Sequence, residues 1–353
     1  MRIKAAFTKY TLHFKQPAGT SRGVLRTKDT YLLKLFNDEN LGIGECALFK
    51  GLSIDDVPNY EQKLLWLCKN IDLDKSILLY ELIDFPSIQF GLEQALLSWK
   101  SEDLFELFPS KFTKGKDKIS INGLIWMGDK AFMQQQIKEK LSNGFTTIKL
   151  KIGAIDFETE LNLLKSIRKE FNSDEIEIRV DANGAYHSQD ALEKLKRLSD
   201  FDLHSIEQPI QTKQWEDMAK LCSDSPLPIA LDEELIGFFN KSEKENMLET
   251  IKPQFIILKP SLIGGFRGTE EWINIAKKHH VSWWITSALE SNIGLNAIAQ
   301  FTYTLQTKIP QGLGTGGLFT NNINSPLKVK TGALYYLNDN NDNQWGNYDS
   351  IFK

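Results

Sequence analysis

Cysteine is scarce in this chain, and histidine nearly as scarce. The 353 residues hold three Cys (Cys46, Cys68 and Cys222) and five His. The cysteines are odd in number, far apart and never in a Cys-x-x-Cys. That argues against a disulfide framework or a zinc site and for reduced thiols in a cytoplasm. Long apolar runs are missing too: no stretch of about 18 apolar residues occurs, so no membrane-spanning helix is expected. Neither charge dominates. Lys and Arg number 42 against 46 Asp and Glu, a formal net charge of −4, with neither the basic footprint of a nucleic-acid binder nor a polybasic membrane patch. The opening MRIKAAFTKYTLHFK alternates polar and apolar residues and lacks the unbroken apolar core of a signal peptide. These absences leave a soluble cytoplasmic protein, long enough for one large domain with a smaller partner.

What is present changes character along the chain. Up to about residue 115 strands precede helices: Ala5–Phe14, Thr30–Phe36 and Gly42–Leu48 read as strands, Tyr60–Asn70 and Ile88–Lys100 as helices. Between the first two strands KQPAGTSRGVLRTKD, residues 15–29, is polar, Gly-rich and basic, and reads as a surface loop or mobile lid. From Lys118 short apolar strands alternate with amphipathic helices, the grammar of parallel β/α architecture. Strands are expected at Ile119–Leu124, Thr147–Lys151, Glu177–Asp181, Ser205–Glu207, Ile229–Asp232, Phe255–Lys259, Trp283–Ser287 and, weakly, Gln311–Gly314. Eight repeats at this pitch predict a closed β/α barrel over 116–320, a modified TIM barrel rather than an open sheet. The polar, aromatic-dotted tail 321–353 is expected to pack back on the N-terminal domain or to fray.

Polar residues recur at the strand ends, where barrel enzymes build their sites. TTIKLKIG puts Lys149 and Lys151 on one strand face and Ile148, Leu150 and Ile152 on the other. Alone, that is an edge strand with lysines in water. The following strands, however, end in Asp181, Glu207, Asp232 and Lys259, at intervals of 30, 26, 25 and 27 residues counted from Lys151. Singly each carboxylate reads as a helix cap or ion-pair partner; five charged ends in phase on consecutive strands read as a site. Three converging carboxylates repel one another unless a cation lies among them. Hard oxygen ligands without His or Cys select Mg²⁺ or Mn²⁺. A second ammonium, a divalent cation and burial each favour the neutral amine of a lysine, so the Lys149/Lys151 pair is expected to hold a usable base. A base beside a metal-bound carboxylate suits removal of the proton α to that carboxylate, so a small-molecule carboxylate is the expected substrate.

With KLK (149–151), VDANGAY (180–186), IEQP (206–209), LDEE (231–234) and LKPS (258–261), the chain resembles the enolase superfamily, in its muconate-lactonizing branch. Such sites pair a Lys or His base with Mg²⁺-stabilised enediolates. The resemblance implies an N-terminal α+β capping domain on the barrel. TSALESNIGLNAIAQ (286–300) and GLGTGGLFTNNI (312–323) are similar to the last strand-end loops of the o-succinylbenzoate synthase family of menaquinone biosynthesis. That implies a syn dehydration with Lys151 as base and then acid, Lys259 stabilising charge from the other face, and Lys149 supporting Lys151. It also implies Asp181, Glu207 and Asp232 on Mg²⁺, Asn183 and Glu233 flanking metal and lysine, and Ser287, Gly312 and Gly314 beside a succinyl arm. Helix starts after both loops would offer N–H groups to a carboxylate. A dipeptide epimerase or N-acylamino acid racemase would use the same lysines, but such epimerases carry Asp-x-Asp on the eighth strand, where GLGTGGLF has no carboxylate. A cycloisomerase shares metal and lysines and differs only by substrate. Mandelate-racemase-like chemistry needs a His near the seventh strand, and His279 and His280 precede it. A Schiff-base aldolase and a non-catalytic binding barrel are the remaining rivals.

Overall fold

The computed structural model describes residues 2–20, 23–126, 128–337, 345–346 and 348–352. The N-terminal part is a three-stranded antiparallel sheet, Lys4–Thr20, Gly23–Phe36 and Leu41–Cys46 in that order. Helices Tyr60–Lys69, Lys75–Glu81 and Pro86–Lys100 follow it. The last lies directly on the third strand. A Cβ on Gly44 would collide with the Gly91 carbonyl, and one on Gly91 with Cys46 Sγ, so glycine on both sides lets the two backbones touch. Leu33, Leu35, Leu64 and Leu92 fill the core between sheet and helices.

The stretch 15–29 differs from its expectation as a loop. Its described residues are strand, the two arms of one long hairpin with Ala18 opposite Leu25; Ser21 and Arg22 lie outside the described residues. Polar composition misled because this hairpin has a wet side. Its other side is held down: Lys15 N–H donates to Leu318 O at 2.8 Å, and Leu12 packs with Leu289 and Phe319.

Seven parallel strands form the second sheet in sequence order: Gly123–Ile125, Thr147–Lys151, Glu177–Asp181, Ser205–Glu207, Ile229–Leu231, Phe255–Leu258 and Ser282–Ile285. They are barrel strands one to seven below. Gln311 pairs in parallel with Ile121, and Gly312 with Thr286, so an eighth segment bridges both edges and closes the ring. Outward residues such as Ile148, Leu150, Ile178 and Val180 are fully buried under the helices. The barrel base is plugged by Arg179. Its guanidinium donates to Pro310 O (2.9 Å) and Glu177 Oε1 (2.9 Å) and stacks 4.5 Å from the Trp284 ring.

The strand expected at Ile119–Leu124 is two elements. Lys118–Ser120 pairs with Ala333–Tyr336, which pairs with Leu327–Lys330, while Gly123–Ile125 is the barrel strand. The tail accordingly does two things. Residues 327–336 clasp the start of the barrel, and Trp345 stacks on Phe105 at 4.0 Å, within a cluster that includes Leu32 and Ile43 of the N-terminal sheet. Residues 338–344, at the head of the polar run, are outside the described residues.

Candidate active site

Register decides what meets at the barrel mouth. Lys151 is paired with Asp181, Asp181 with Glu207, and Glu207 with Ala230, two residues before Asp232 on the same strand face. Lys149 and Lys151 come from barrel strand two and Lys259 from the end of strand six. In a ring of eight these stand opposite each other, with the carboxylate strands three to five along the arc between.

The contacts are ionic and buried. Lys149 Nζ lies 2.8 Å from Asp181 Oδ2 and also donates to Glu207 Oε2. Lys151 Nζ donates to the same Asp181 oxygen at 2.5 Å and to Asn183 Oδ1 at 2.8 Å. Asn183 Nδ2 in turn donates to Glu233 Oε1 at 2.9 Å, which fixes the amide with its oxygen toward Lys151. Asn183 stands at φ 44°, in the left-handed region that Asn enters more readily than most residues. Lys259 Nζ donates to Asp232 Oδ2.

Burial alone would lower both Lys149 and Lys259. For Lys149 the Asp181 and Glu207 carboxylates outweigh burial and hold the ammonium above the usual lysine range. Asp232 and Glu233 do the same for Lys259. Burial would raise Asp181, but the Lys149 and Lys151 ammoniums hold it well below the usual carboxylate range. Glu207 goes the other way: burial first, then the Asp181 charge, push it well up. The protein groups therefore keep Lys149 charged. Its ammonium is the shared partner of two carboxylates.

Whether these residues suit a divalent cation is answered by their own chemistry. The three carboxylates present only oxygen, on neighbouring strands, and Glu207 Oε1 is a buried acceptor with no hydrogen-bond partner. Hard ligands with one unmet buried acceptor fit Mg²⁺. A separate group with ligand atoms within 4.8 Å of one another, Glu245, Glu249 and His279, lies away from the mouth, where Lys278 already pairs with Glu245.

A cleft opens over the lysines, with about 90 Å³ of enclosed free space. It is lined by Lys149, Lys151, Asn183, Lys259, Ser287, Gly312 and Gly314 from the sequence-derived set. The cap contributes Phe49 and Leu52, from the loop after Leu41–Cys46, and no described residue of 15–29. The predicted set also lacked Asn122, Leu124 and Trp126, alternate residues on and flanking barrel strand one, and Thr286. The period-two signal was there, but beginning the strand at Ile119 hid it. Asn122 Oδ1 and Thr286 Oγ1 are buried without partners.

Two expectations about the far wall change. Ser287 lines the cleft, yet its hydroxyl is spent: it donates to Glu290 Oε2 (2.5 Å) and accepts from Leu289 N (3.1 Å) and Thr315 Oγ1 (2.8 Å). One donor and two acceptor sites are all a hydroxyl has. The helix start at Asn292 is not free for a ligand either, because Glu45 of the cap takes Ser291 N–H (2.9 Å) and Gly294 N–H (2.8 Å). After Gly314 comes a turn and no helix. Gly312 is glycine because a Cβ there would strike Thr286, whereas a Cβ on Gly314 would make ordinary contacts with Ile121 Cδ1 (3.4 Å) and Asn122 O (3.8 Å).

The family profile described as "Enolase C-terminal domain-like" matches residues 132–338. This chain belongs to that family. An o-succinylbenzoate synthase of Desulfotalea psychrophila is 46% identical to this enolase-family chain, over 94% of it and 98% of the relative. The crystal structure of MenC from the same organism superposes with a TM-score of 0.85 at 43% identity, covering 94% of this chain and 99% of that one. A dipeptide epimerase of Enterococcus faecalis, solved with Mg and the dipeptide L-Leu-L-Tyr, has a TM-score of 0.82 at 17% identity, covering 96% and 98% of the two chains; at that identity only the fold is shared. Among the described residues, no helix of this enolase-family member is long and apolar enough to cross a membrane.

Proposed function

We propose that this protein is an o-succinylbenzoate synthase, removing water from 2-succinyl-6-hydroxy-2,4-cyclohexadiene-1-carboxylate to give o-succinylbenzoate in menaquinone synthesis. The observation that carries the reading is the 46% identity to such an enzyme over nearly the whole of both chains. The opposed Lys151 and Lys259 give it a chemical rationale. Held by Asp181, Glu207 and Asp232, Mg²⁺ (or Mn²⁺ in its place) would polarise the substrate carboxylate and stabilise charge developing on it.

Lys151 Nζ takes the α-proton and returns it to the departing hydroxyl on the same face, a syn elimination with one group serving as base and then acid. Asn183, anchored by Glu233, aims that nitrogen. Lys149 stays an ammonium between Asp181 and Glu207 and shares the Asp181 oxygen that Lys151 meets. Lys259 stays charged and faces the substrate from the opposite wall, stabilising the carboxylate oxygens as they gain charge. Phe49, Leu52 and Trp126 exclude water, and Gly312, Gly314 and Ser287 shape the wall beside the succinyl arm. Asn122 and Thr286, with unpaired polar atoms, offer that arm its hydrogen bonds. The eighth segment brings Gly312, Gly314 and Thr315 to the cleft and no carboxylate to grip an amine, which disfavours dipeptide epimerisation. Three free cysteines, Cys46 and Cys222 of them buried, suit a cytoplasmic enzyme.

The test is incubation with the cyclohexadiene and Mg²⁺, following loss of diene absorbance. Failure to consume the diene, together with α-deuterium exchange into a dipeptide or N-acylamino acid, would replace this reading with epimerase or racemase.

A further inference from the structure

Glu290 is fully buried and its two oxygens face different strand ends. Oε1 accepts from Ser261 Oγ at 2.5 Å, and Oε2 accepts from Ser287 Oγ at 2.5 Å. Ser261 is also fully buried, follows Lys259 by two residues in the turn Pro260–Leu262, and does not line the cleft. Ser287 does line it. One carboxylate thus bridges the end of the strand carrying Lys259 and the wall opposite Lys151.

The cap adds to this link. Glu45 accepts from Thr30 Oγ1 (2.8 Å), Ser291 Oγ (2.5 Å) and two backbone N–H groups of the segment directly after Glu290. Two carboxylates this deep need a counter-charge. Lys28 is buried with no hydrogen-bond partner on its nitrogen; burial lowers it, against the pull of the Glu45 and Glu290 charges. Asp29, from the same strand, is the third acid acting on it. Both Glu290 oxygens accept, one from each serine, an arrangement that an amide with a single acceptor oxygen reproduces less well.

We propose that Glu290 is a positioning residue of the active site, setting Lys259 and the Ser287 wall at fixed separation by accepting from Ser261 and Ser287 together. The proposal rests on the dehydratase reading, because Lys259 and Ser287 have their roles from it. Glu290 touches no substrate; it acts through the two serines. A shift of about 1 Å between reacting groups costs on the order of a hundred-fold in rate.

The experiment compares Ser261→Ala, Glu290→Gln and the double variant, as full-length Mg²⁺-loaded enzyme. It reads kcat and KM, calorimetric affinity for the product o-succinylbenzoate, and the denaturation midpoint. Ser261→Ala, which alters nothing in the cleft wall, is expected to lower kcat between about 10- and 100-fold. Glu290→Gln should lower kcat similarly and also weaken product binding several-fold. In the Glu290→Gln background the further loss from Ser261→Ala should vanish, since both remove one linkage. Variants that denature earlier but keep wild-type kcat, KM and product affinity overturn the proposal. So does additive loss in the double variant. If Glu290→Gln does not fold, Ser261→Ala alone decides by the same kcat criterion. Wild-type turnover of the diene is measured first, so a failed functional reading is seen before any variant is compared.

Discussion

Lys149 and Lys151 sit two residues apart on one strand face, and their replacement by alanine should have opposite consequences. Lys151→Ala removes an ammonium from Asp181, but Lys149 still lies 2.8 Å from the same carboxylate oxygen. No buried charge is stranded, so the stability cost should stay within about 1 kcal/mol, near that of an ordinary polar contact. Loss of a positioned general base, by contrast, should cost at least about 10²- to 10⁴-fold in turnover. Lys149→Ala removes the ammonium shared by Asp181 and Glu207, both buried. Removing one partner of a buried ion pair costs roughly 3–5 kcal/mol. Urea unfolding in EDTA isolates this protein term from cation binding, and diene consumption with Mg²⁺ measures the chemistry. Near-wild-type turnover by Lys151→Ala would refute its assignment as base. Equal denaturation midpoints for the two variants would refute the argument from shared charge.

Asp181→Ala should abolish Mg²⁺ binding by calorimetry along with activity; retained binding would contradict the ligand role. Gly312→Ala should destabilise the protein by about 1–3 kcal/mol, an overpacking cost, because the new methyl meets Thr286. Thr286→Ala in the same chain should recover part of that loss, since it removes Oγ1 and Cγ2 but leaves Cβ 2.9 Å from the new methyl, and no recovery at all would show that the clash is not the cause. Glu160 is buried in the loop-to-helix junction after barrel strand two, and burial outweighs the N–H groups of Gly153, Ile155 and Ala154, pushing it up to about 7. A carboxyl raised in the folded state gives stability that is full below its unfolded value, about 4.5, and is lost as pH rises through about 7. The loss is on the order of 3 kcal/mol. Glu160→Gln should flatten stability between those limits, and an unchanged slope would reject the assignment.

Much of the site was legible because barrel strands impose a simple rule. Side chains alternate in and out, and each strand–helix repeat returns the chain to the same rim, so Lys151, Asp181, Glu207, Asp232 and Lys259 could be put in phase by counting. Loops obey no such rule. Phe49 and Leu52 reach the cleft from a cap loop whose sequence has no period, and the hairpin through 15–29 was hidden by polar residues facing water. Asn122 was missed through a boundary: the chain changes sheets within four residues, between Ser120 and Gly123, and propensity does not record which partner a strand will find.

The β/α alternation, the inward set of three carboxylates and three lysines, and the metal chemistry those oxygens favour all follow from local periodicity and residue type. Which atoms of those groups are already spent depends on how the chain folds back on itself. Ser287 looked like a ligand and proves saturated by Glu290, Thr315 and Leu289 N–H. The helix start near it is capped by Glu45, 246 residues away in sequence. Lys149, expected from the sequence only to support Lys151, is held as an ammonium by two carboxylates from other strands. The reason is physical: a donor, an acceptor or a charge is available to a ligand only when no neighbour has claimed it, and the claimants here include Glu45 and Thr315 from distant parts of the chain as well as Glu290 and Leu289 close by.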